Sequence, residues 1–99
     1  MSTTTDLRLD QTEIRTVHAL QLLGDPTRFK MFKLLASDQD LCVSEIAAKL
    51  NISPSAVSQH FKNFEMIGLV SKYRDGQKIC YTLNHGDPLV RELRIITKQ

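Results

Sequence analysis

Residues 53–68, SPSAVSQHFKNFEMIG, decide how the rest of this chain is read. Ser53 is a strong helix N-cap, because its hydroxyl accepts from a first-turn N–H that has no helical partner. Pro54 then sits where a helix loses no hydrogen bond to it. Val57, Phe61 and Phe64 recur at i, i+4 and i+7 and predict one buried stripe. Gly68 supplies a left-handed stop. The opposite face carries Ser55, Ser58, Gln59 and Lys62, with His60 and Asn63 on its flanks. Hydroxyls, an amide, an imidazole and a cation, with no acid among them, suit hydrogen bonding to base edges and phosphates in a major groove.

The next residues, 69–83, read LVSKYRDGQKICYTL and predict a hairpin. Asp75-Gly76 is the turn signal, read as a type I′ turn in which both residues take positive φ. Lys72, Arg74 and Lys78 cluster at the tip, with Gln77 between them, while Ile79, Tyr81 and Leu83 alternate inward. A basic-tipped ribbon after a basic-polar helix is a wing that grips phosphates beside the groove the helix enters. The predicted ligand is double-stranded DNA, contacted by Ser53, Ser55, Ser58, Gln59, His60, Lys62, Lys72, Arg74, Gln77 and Lys78.

Upstream, Asp10 and Glu13 form a capping-box-like start for a helix striped by Ile14, Val17, Leu20 and Leu23, which Gly24 ends. Asp25-Pro26 opens a second helix with Phe29, Phe32, Leu35 and Ala36 as core. Residues 37–41 are a polar break. A third helix over Val43–Leu50 buries Ile46, Ala47 and Leu50, and Asn51-Ile52 turns into the helix quoted first. Residues 43–66 therefore read as a helix-turn-helix. After the wing, Asp87-Pro88 opens a last helix with Leu89, Leu93 and Ile96 at i, i+4 and i+7.

The expected fold is mainly α with a β-hairpin wing: a winged helix-turn-helix in the order helix, helix, helix, helix, hairpin, helix. Residues 10–99 form one domain and residues 1–9 a flexible Ser/Thr-rich tail. The first and last helices are left over from the DNA-reading unit. Ile14, Val17, Leu89, Leu93 and Ile96 are expected to pair them across a two-fold axis. Such a homodimer presents two recognition helices about 34 Å apart on one face of the duplex.

Ninety-nine residues with 41% apolar content suit one small helical core. The net charge of +2 is mild, so positive potential has to be concentrated locally. No stretch approaches the roughly 20 apolar residues of a membrane span, and no signal-peptide core is present, so no membrane partner is expected. Two cysteines without a secretory signal predict free thiols in a reducing, cytoplasmic compartment. Enzymatic chemistry finds no support. There is no Gly-rich phosphate loop and no nucleophile elbow, and Ser58 and His60 diverge at i, i+2. A winged helix used as a protein-interaction module would carry exposed aromatic or Met anchors on the recognition face, where this chain has Ser, Gln, His and Lys.

Four segments, Leu23-Gly24-Asp25-Pro26-Thr27-Arg28, Leu41-Cys42-Val43-Ser44-Glu45-Ile46-Ala47, Ser53-Pro54-Ser55-Ala56-Val57-Ser58-Gln59-His60-Phe61 and Arg74-Asp75-Gly76-Gln77, resemble the ArsR/SmtB family of metalloregulatory repressors. The likeness extends over about residues 14–97. It implies a cytosolic homodimer that represses transcription from a palindromic operator and is released by an inducer, often a metal ion. Recognition residues of the family correspond to Ser53, Ser55, Ser58, Gln59 and His60, and its wing residues to Arg74 and Gln77. Arg28 matches a position expected to be structural.

The family's metal motifs are incomplete here. Its thiolate sites resemble Leu-Cys-Val-Cys, and Leu41-Cys42-Val43-Ser44 has a hydroxyl for the second sulfur, while soft metals need two or three thiolates. Cys42 equally fits a capping-box position, with Glu45 reaching back to its N–H. The family's other site pairs Asp and His on the last helix. His85-Gly86-Asp87 keeps those donors in swapped order, and Lys98 stands where a further His is needed. No metal or other cofactor is therefore assigned, with Cys42, His85 and Asp87 as the residual candidates. His18 is expected to be a partly buried imidazole. Cys80, placed by strand alternation with Lys78 and Thr82, opens a thiol-responsive alternative in which Cys42 and Cys80 answer oxidants. A regulator that answers no ligand is the other.

Overall fold

The computed structural model describes residues 7–37 and 41–98. Most of the expected tail, residues 1–6, and most of the polar break, residues 38–40, lie outside the described residues. Residues 7–9 are exposed and without regular structure. The elements run α1 (Gln11–Leu23), α2 (Pro26–Ala36), β1 (Leu41–Cys42), α3 (Val43–Leu50), α4 (Pro54–Met66), β2 (Val70–Asp75), β3 (Lys78–Leu83) and α5 (Pro88–Thr97). Together they make a winged helix-turn-helix.

Four of the expected helix starts are realised by the caps that predict them. Asp10 Oδ1 accepts from the Glu13 N–H at 2.8 Å, and Glu13 Oε1 accepts in return from the Asp10 N–H at 3.0 Å. Asp25 Oδ2 accepts from the Arg28 N–H at 3.0 Å. Ser53 Oγ accepts from the Ala56 N–H at 3.1 Å. Asp87 Oδ1 accepts from the Leu89 N–H at 3.0 Å. Asn51, at φ 54°, makes the tight turn between α3 and α4, and Gly68, at φ 76°, leads the chain out of α4.

The core joins α2, α3 and α4 to the inner face of the sheet. Phe32, Phe61 and Phe64 are fully buried, with Phe64 tilted against both other rings at centroid distances of 6.2 and 6.0 Å. Tyr81 stacks on Phe61 at 4.5 Å and so fastens the wing to α4. Met31 is buried in α2 beside the expected Phe32, Leu35 and Ala36, while Phe29 and Leu50 are half-buried.

Four expectations need correction. First, the wing is part of a three-stranded sheet of order β1-β3-β2, because the two residues of β1 pair antiparallel with β3. Second, the hairpin turn is shifted by one residue. Asp75 pairs with Lys78, leaving Gly76 and Gln77 as the loop, and Gly76 alone takes positive φ, at 64°. That is the type II′ pattern, with Gly first, rather than type I′. Third, Leu93 is only 2% exposed and Leu89 is half-buried against the chain's own core, so they do not form an outward stripe with Ile96. The inward face of α5 is Val90, Leu93 and Thr97, and its outward apolar pair is Ile95 and Ile96, 70% and 62% exposed. Fourth, His18 is exposed rather than partly buried.

The two outer helices are tied together by an Arg15–Asp87 fork. Arg15 in α1 donates from Nη1 and Nη2 to Oδ1 and Oδ2 of Asp87, at 3.1 and 2.5 Å, and from Nε to the Ile67 carbonyl at 2.8 Å. This fork holds α1, the end of α4 and the cap of α5 in one arrangement. It leaves Ile14, Val17 and Leu20 of α1 facing solvent, while Leu23 turns inward.

Candidate nucleic-acid interface

The α4 stripe of Val57, Phe61 and Phe64 is fully buried, which turns Ser55, Ser58, Gln59 and Lys62 to solvent. Ser53 is exposed as well, with its hydroxyl engaged as the cap. Asn63 and His60 are half-buried on the flanks. Nδ1 of His60 is buried without a hydrogen-bond partner, so only the other edge of the ring remains for an outside ligand. The single acid of α4, Glu65, is half-buried and lies beyond this face. Its negative charge bears on Tyr81, whose phenol is pushed up first by burial and then by Glu65.

The wing lies beside that face. Lys72, Arg74, Gln77 and Lys78 are all exposed. Ser44 and Val43 of α3, Pro54 and Ser58 of α4, and Gln77 and Lys78 of the wing line one shallow groove. Hydroxyls and a helix N-terminus thus stand on one side of the groove, and a cation and an amide on the other. Phosphate oxygens suit such a lining, since backbone contacts come from cations, hydroxyls and helix starts. Ser44 was missed in the sequence, where it stood out only as a residue lacking sulfur.

Arg28 holds the structural place expected of it. Its Nε donates to the Leu22 carbonyl at 2.7 Å across the α1–α2 turn. Asp25, which caps the same helix, has its carboxyl held below the ordinary range, chiefly by the Arg28 N–H.

The cysteines contradict the expectation of free thiols. Cys42 and Cys80 are joined by a disulfide across directly opposed positions of β1 and β3. The register Cys42↔Cys80 brings them together, and Cys80 is fully buried rather than set among surface cations. The capping role foreseen for Glu45 holds, because its Oε1 accepts from the Cys42 N–H at 2.8 Å.

The family's metal donors do not fit this arrangement. The Cys42 sulfur is already bonded, and both Asp87 oxygens are taken by Arg15, with the Leu89 N–H also on Oδ1. His85 is an exposed loop residue. Among the described residues no three His, Cys, Asp or Glu side chains converge. The Arg15 guanidinium is what holds the Asp87 carboxyl well below its usual range, and the N–H groups at the start of α5 add to the effect.

Residues 25–72 match the family described as "Bacterial regulatory protein, arsR family". The chain is 35% identical over 89 residues to a transcriptional repressor SmtB homolog of Synechocystis, an alignment that spans 88% of this chain and 66% of that protein. It is 31% identical over 86 residues to an arsenical resistance operon repressor of Staphylococcus aureus, spanning 85% of this chain and 80% of the relative. This chain belongs to the arsR family. Among solved structures, HlyU from Vibrio cholerae superposes with a TM-score of 0.77 at 26% identity, covering 89% of this chain and 92% of that one. The arsR-family chain spans just under two thirds of the length of the Synechocystis relative. No helix among the described residues is long and apolar enough to cross a membrane.

Proposed function

We propose that this arsR-family chain is a DNA-binding transcription regulator, a repressor that acts in the cytoplasm as a homodimer on a palindromic operator. Residues 10–99 work as one unit. The observation that carries this reading is the acid-free polar face of α4 standing across one groove from the basic wing tip. In this reading Gln59 and the outer edge of His60 meet base edges. Ser53, Ser55, Ser58 and Lys62 meet base edges or the backbone, and Lys72, Arg74, Gln77 and Lys78 meet phosphates.

The proposed dimer covers the apolar surface that one chain leaves bare. Ile14, Val17 and Leu20 on α1 and Ile95 and Ile96 on α5 are exposed, and the Arg15–Asp87 fork fixes their two helices relative to each other. Bare apolar side chains on both outer helices are what a partner copy would cover. No enzymatic step enters the proposal, and no metal is assigned to it. The interaction-module reading has little to rest on, since Met66, at the far end of α4, is the only large apolar side chain that helix exposes.

The test is titration of a duplex with the purified protein at increasing salt. Counterion release predicts a linear fall of log affinity with log salt, with a slope of about −0.9 per phosphate neutralised. Binding that ignores salt, or no binding to any duplex in a random-sequence pool, rejects the reading.

A further inference from the structure

The bond between Cys42 and Cys80 sits at a particular place in the fold. Cys42 is the last residue of β1 and the N-cap of α3, so it begins the helix-turn-helix. Cys80 lies in β3 opposite Tyr73 of β2. The whole of β1 is two residues, paired Leu41↔Tyr81 and Cys42↔Cys80. Toward the tip from Cys80, β3 has only β2 beside it. The disulfide therefore joins the start of the helix-turn-helix to the wing at the last rung of the β1–β3 pairing.

Beyond that rung the ribbon is held more lightly, by the packing of Ile79 on the core. Residues 74–78 are all exposed, and Ile79 is half-buried. A two-stranded ribbon alone is marginally stable in water. A two-residue strand contributes few ladder bonds to anchor it. The covalent link adds to the Tyr81–Phe61 stacking a direct tie between the start of α3 and β3, and so constrains the direction in which Arg74, Gln77 and Lys78 point.

A regulator of transcription works where DNA is kept, and cytosolic disulfides in mesophiles, when they occur, are transient and catalytic or redox-sensing. Both cysteines of the chain are used in this one bond. We propose that Cys42–Cys80 is a thiol–disulfide switch on the wing: the oxidised form holds the wing and binds duplex DNA tightly, and reduction frees the wing and weakens binding. This rests on the DNA-binding reading given above.

The chemistry balances with low-molecular-weight thiols as reductant and hydrogen peroxide as oxidant. In reduction, the thiolate of one small thiol attacks the sulfur of Cys42, the less deeply buried residue of the pair, as β1 peels from β3. The Cys42–Cys80 bond breaks, a mixed disulfide forms, and Cys80 leaves as a thiolate that takes a proton from water. A second small thiol attacks the mixed disulfide, releasing the small-molecule disulfide and the Cys42 thiol. In oxidation, one cysteine thiolate attacks the peroxide, the O–O bond breaks, and the cysteine becomes a sulfenic acid while the departing hydroxide takes up the proton the thiol had released and leaves as water. The other thiol displaces its hydroxyl as a second water and restores the bond.

Loosening the wing adds an ordering cost to DNA binding without changing the face of α4. The experiment uses the full chain with a mixed-sequence duplex, under dithiothreitol and after peroxide, with the free-thiol count followed by mass after alkylation. The reduced protein is expected to keep its far-UV circular dichroism and to bind about tenfold more weakly, since wing pre-organisation is lost. Reoxidation restores affinity. The double variant Cys42→Ser/Cys80→Ser binds at the reduced level and ignores peroxide, and Arg74→Ala narrows the gap between the two states. Equal affinities in the two states overturn the switch and leave the DNA reading intact. Tighter binding on reduction, failure of peroxide to form the bond, or unfolding on reduction also overturns it. Loss of duplex binding in both states overturns the switch and the DNA reading together.

Discussion

Asp87 is the residue whose removal should cost the fold most for its modest burial. Asp87→Ala deletes the cap bond to the Leu89 N–H at 3.0 Å and both bonds to the Arg15 fork, at 3.1 and 2.5 Å. The cap contributes about 1 kcal/mol. The fork is bidentate, with Arg15 and Asp87 side chains 31% and 20% exposed, which places it between a surface pair and a buried one. After solvent screening it contributes about 1 kcal/mol. Arg15 is not left stranded, since Nε keeps the Ile67 carbonyl at 2.8 Å. The sum is a loss of about 2 kcal/mol for Asp87→Ala, against a total of about 5–15 kcal/mol for a chain of this length. Arg15→Ala spares the cap but gives up the Ile67 bond, and the double-mutant coupling between the two positions should be about 1 kcal/mol.

The assay is urea unfolding of the wild type, both single variants and the double variant, with equal slopes required for comparison. A pH series adds a second check. The Asp87 carboxyl is held below its ordinary value by Arg15, so its contribution is complete above the unfolded pKa of about 3.9 and is lost as pH falls through the folded value. The gap between wild type and Asp87→Asn should therefore be constant near neutrality and close in acid. A coupling of zero, or a gap that widens as pH falls, refutes the reasoning.

Three further outcomes follow from the same geometry. Gln59→Ala should weaken binding to a selected operator relative to random duplex by about 1–3 kcal/mol, whereas Arg74→Ala should weaken both equally and reduce the salt slope by about one unit; competition titrations separate the two. Leu93→Ala should cost about 2–5 kcal/mol of folding stability because the side chain is 2% exposed, while Ile96→Glu should leave the monomer folded and shift sedimentation toward the single chain. Gly76→Val should destabilise the wing by about 1–2 kcal/mol, because the turn needs φ of 64° there and space is not limiting, the position having no neighbouring atom within 4 Å; faster amide exchange confined to β2 and β3 is its signature.

The helices and the polar face of α4 were legible because their signals are local. Asp10, Asp25, Ser53 and Asp87 each announce a start within three residues, and the Val57-Phe61-Phe64 spacing fixes which side of α4 is buried. The parts that were not legible depend on contacts distant in sequence or on shifts of one residue. A two-residue strand such as β1 has no periodicity, so neither the third strand nor the meeting of Cys42 with Cys80 could be foreseen. Asp75-Gly76 marks a turn, but the rung Asp75↔Lys78 moves the loop on by one residue. In α5, Leu89, Leu93 and Ile96 and the observed Val90, Leu93 and Thr97 are both helical stripes, and Thr97 enters the core only because its hydroxyl donates to the Leu93 carbonyl at 2.9 Å. The hydroxyl at Ser44 gains a role from its neighbours across the groove, which no linear motif displays.

Amide shift mapping of the full chain as duplex DNA is added tests the central proposal most directly. The account predicts changes concentrated on residues 53–62 and on the wing tip around residues 72–78, fading as salt is raised. Changes confined to α1 and α5, with the outward side of α4 unmoved, would contradict it.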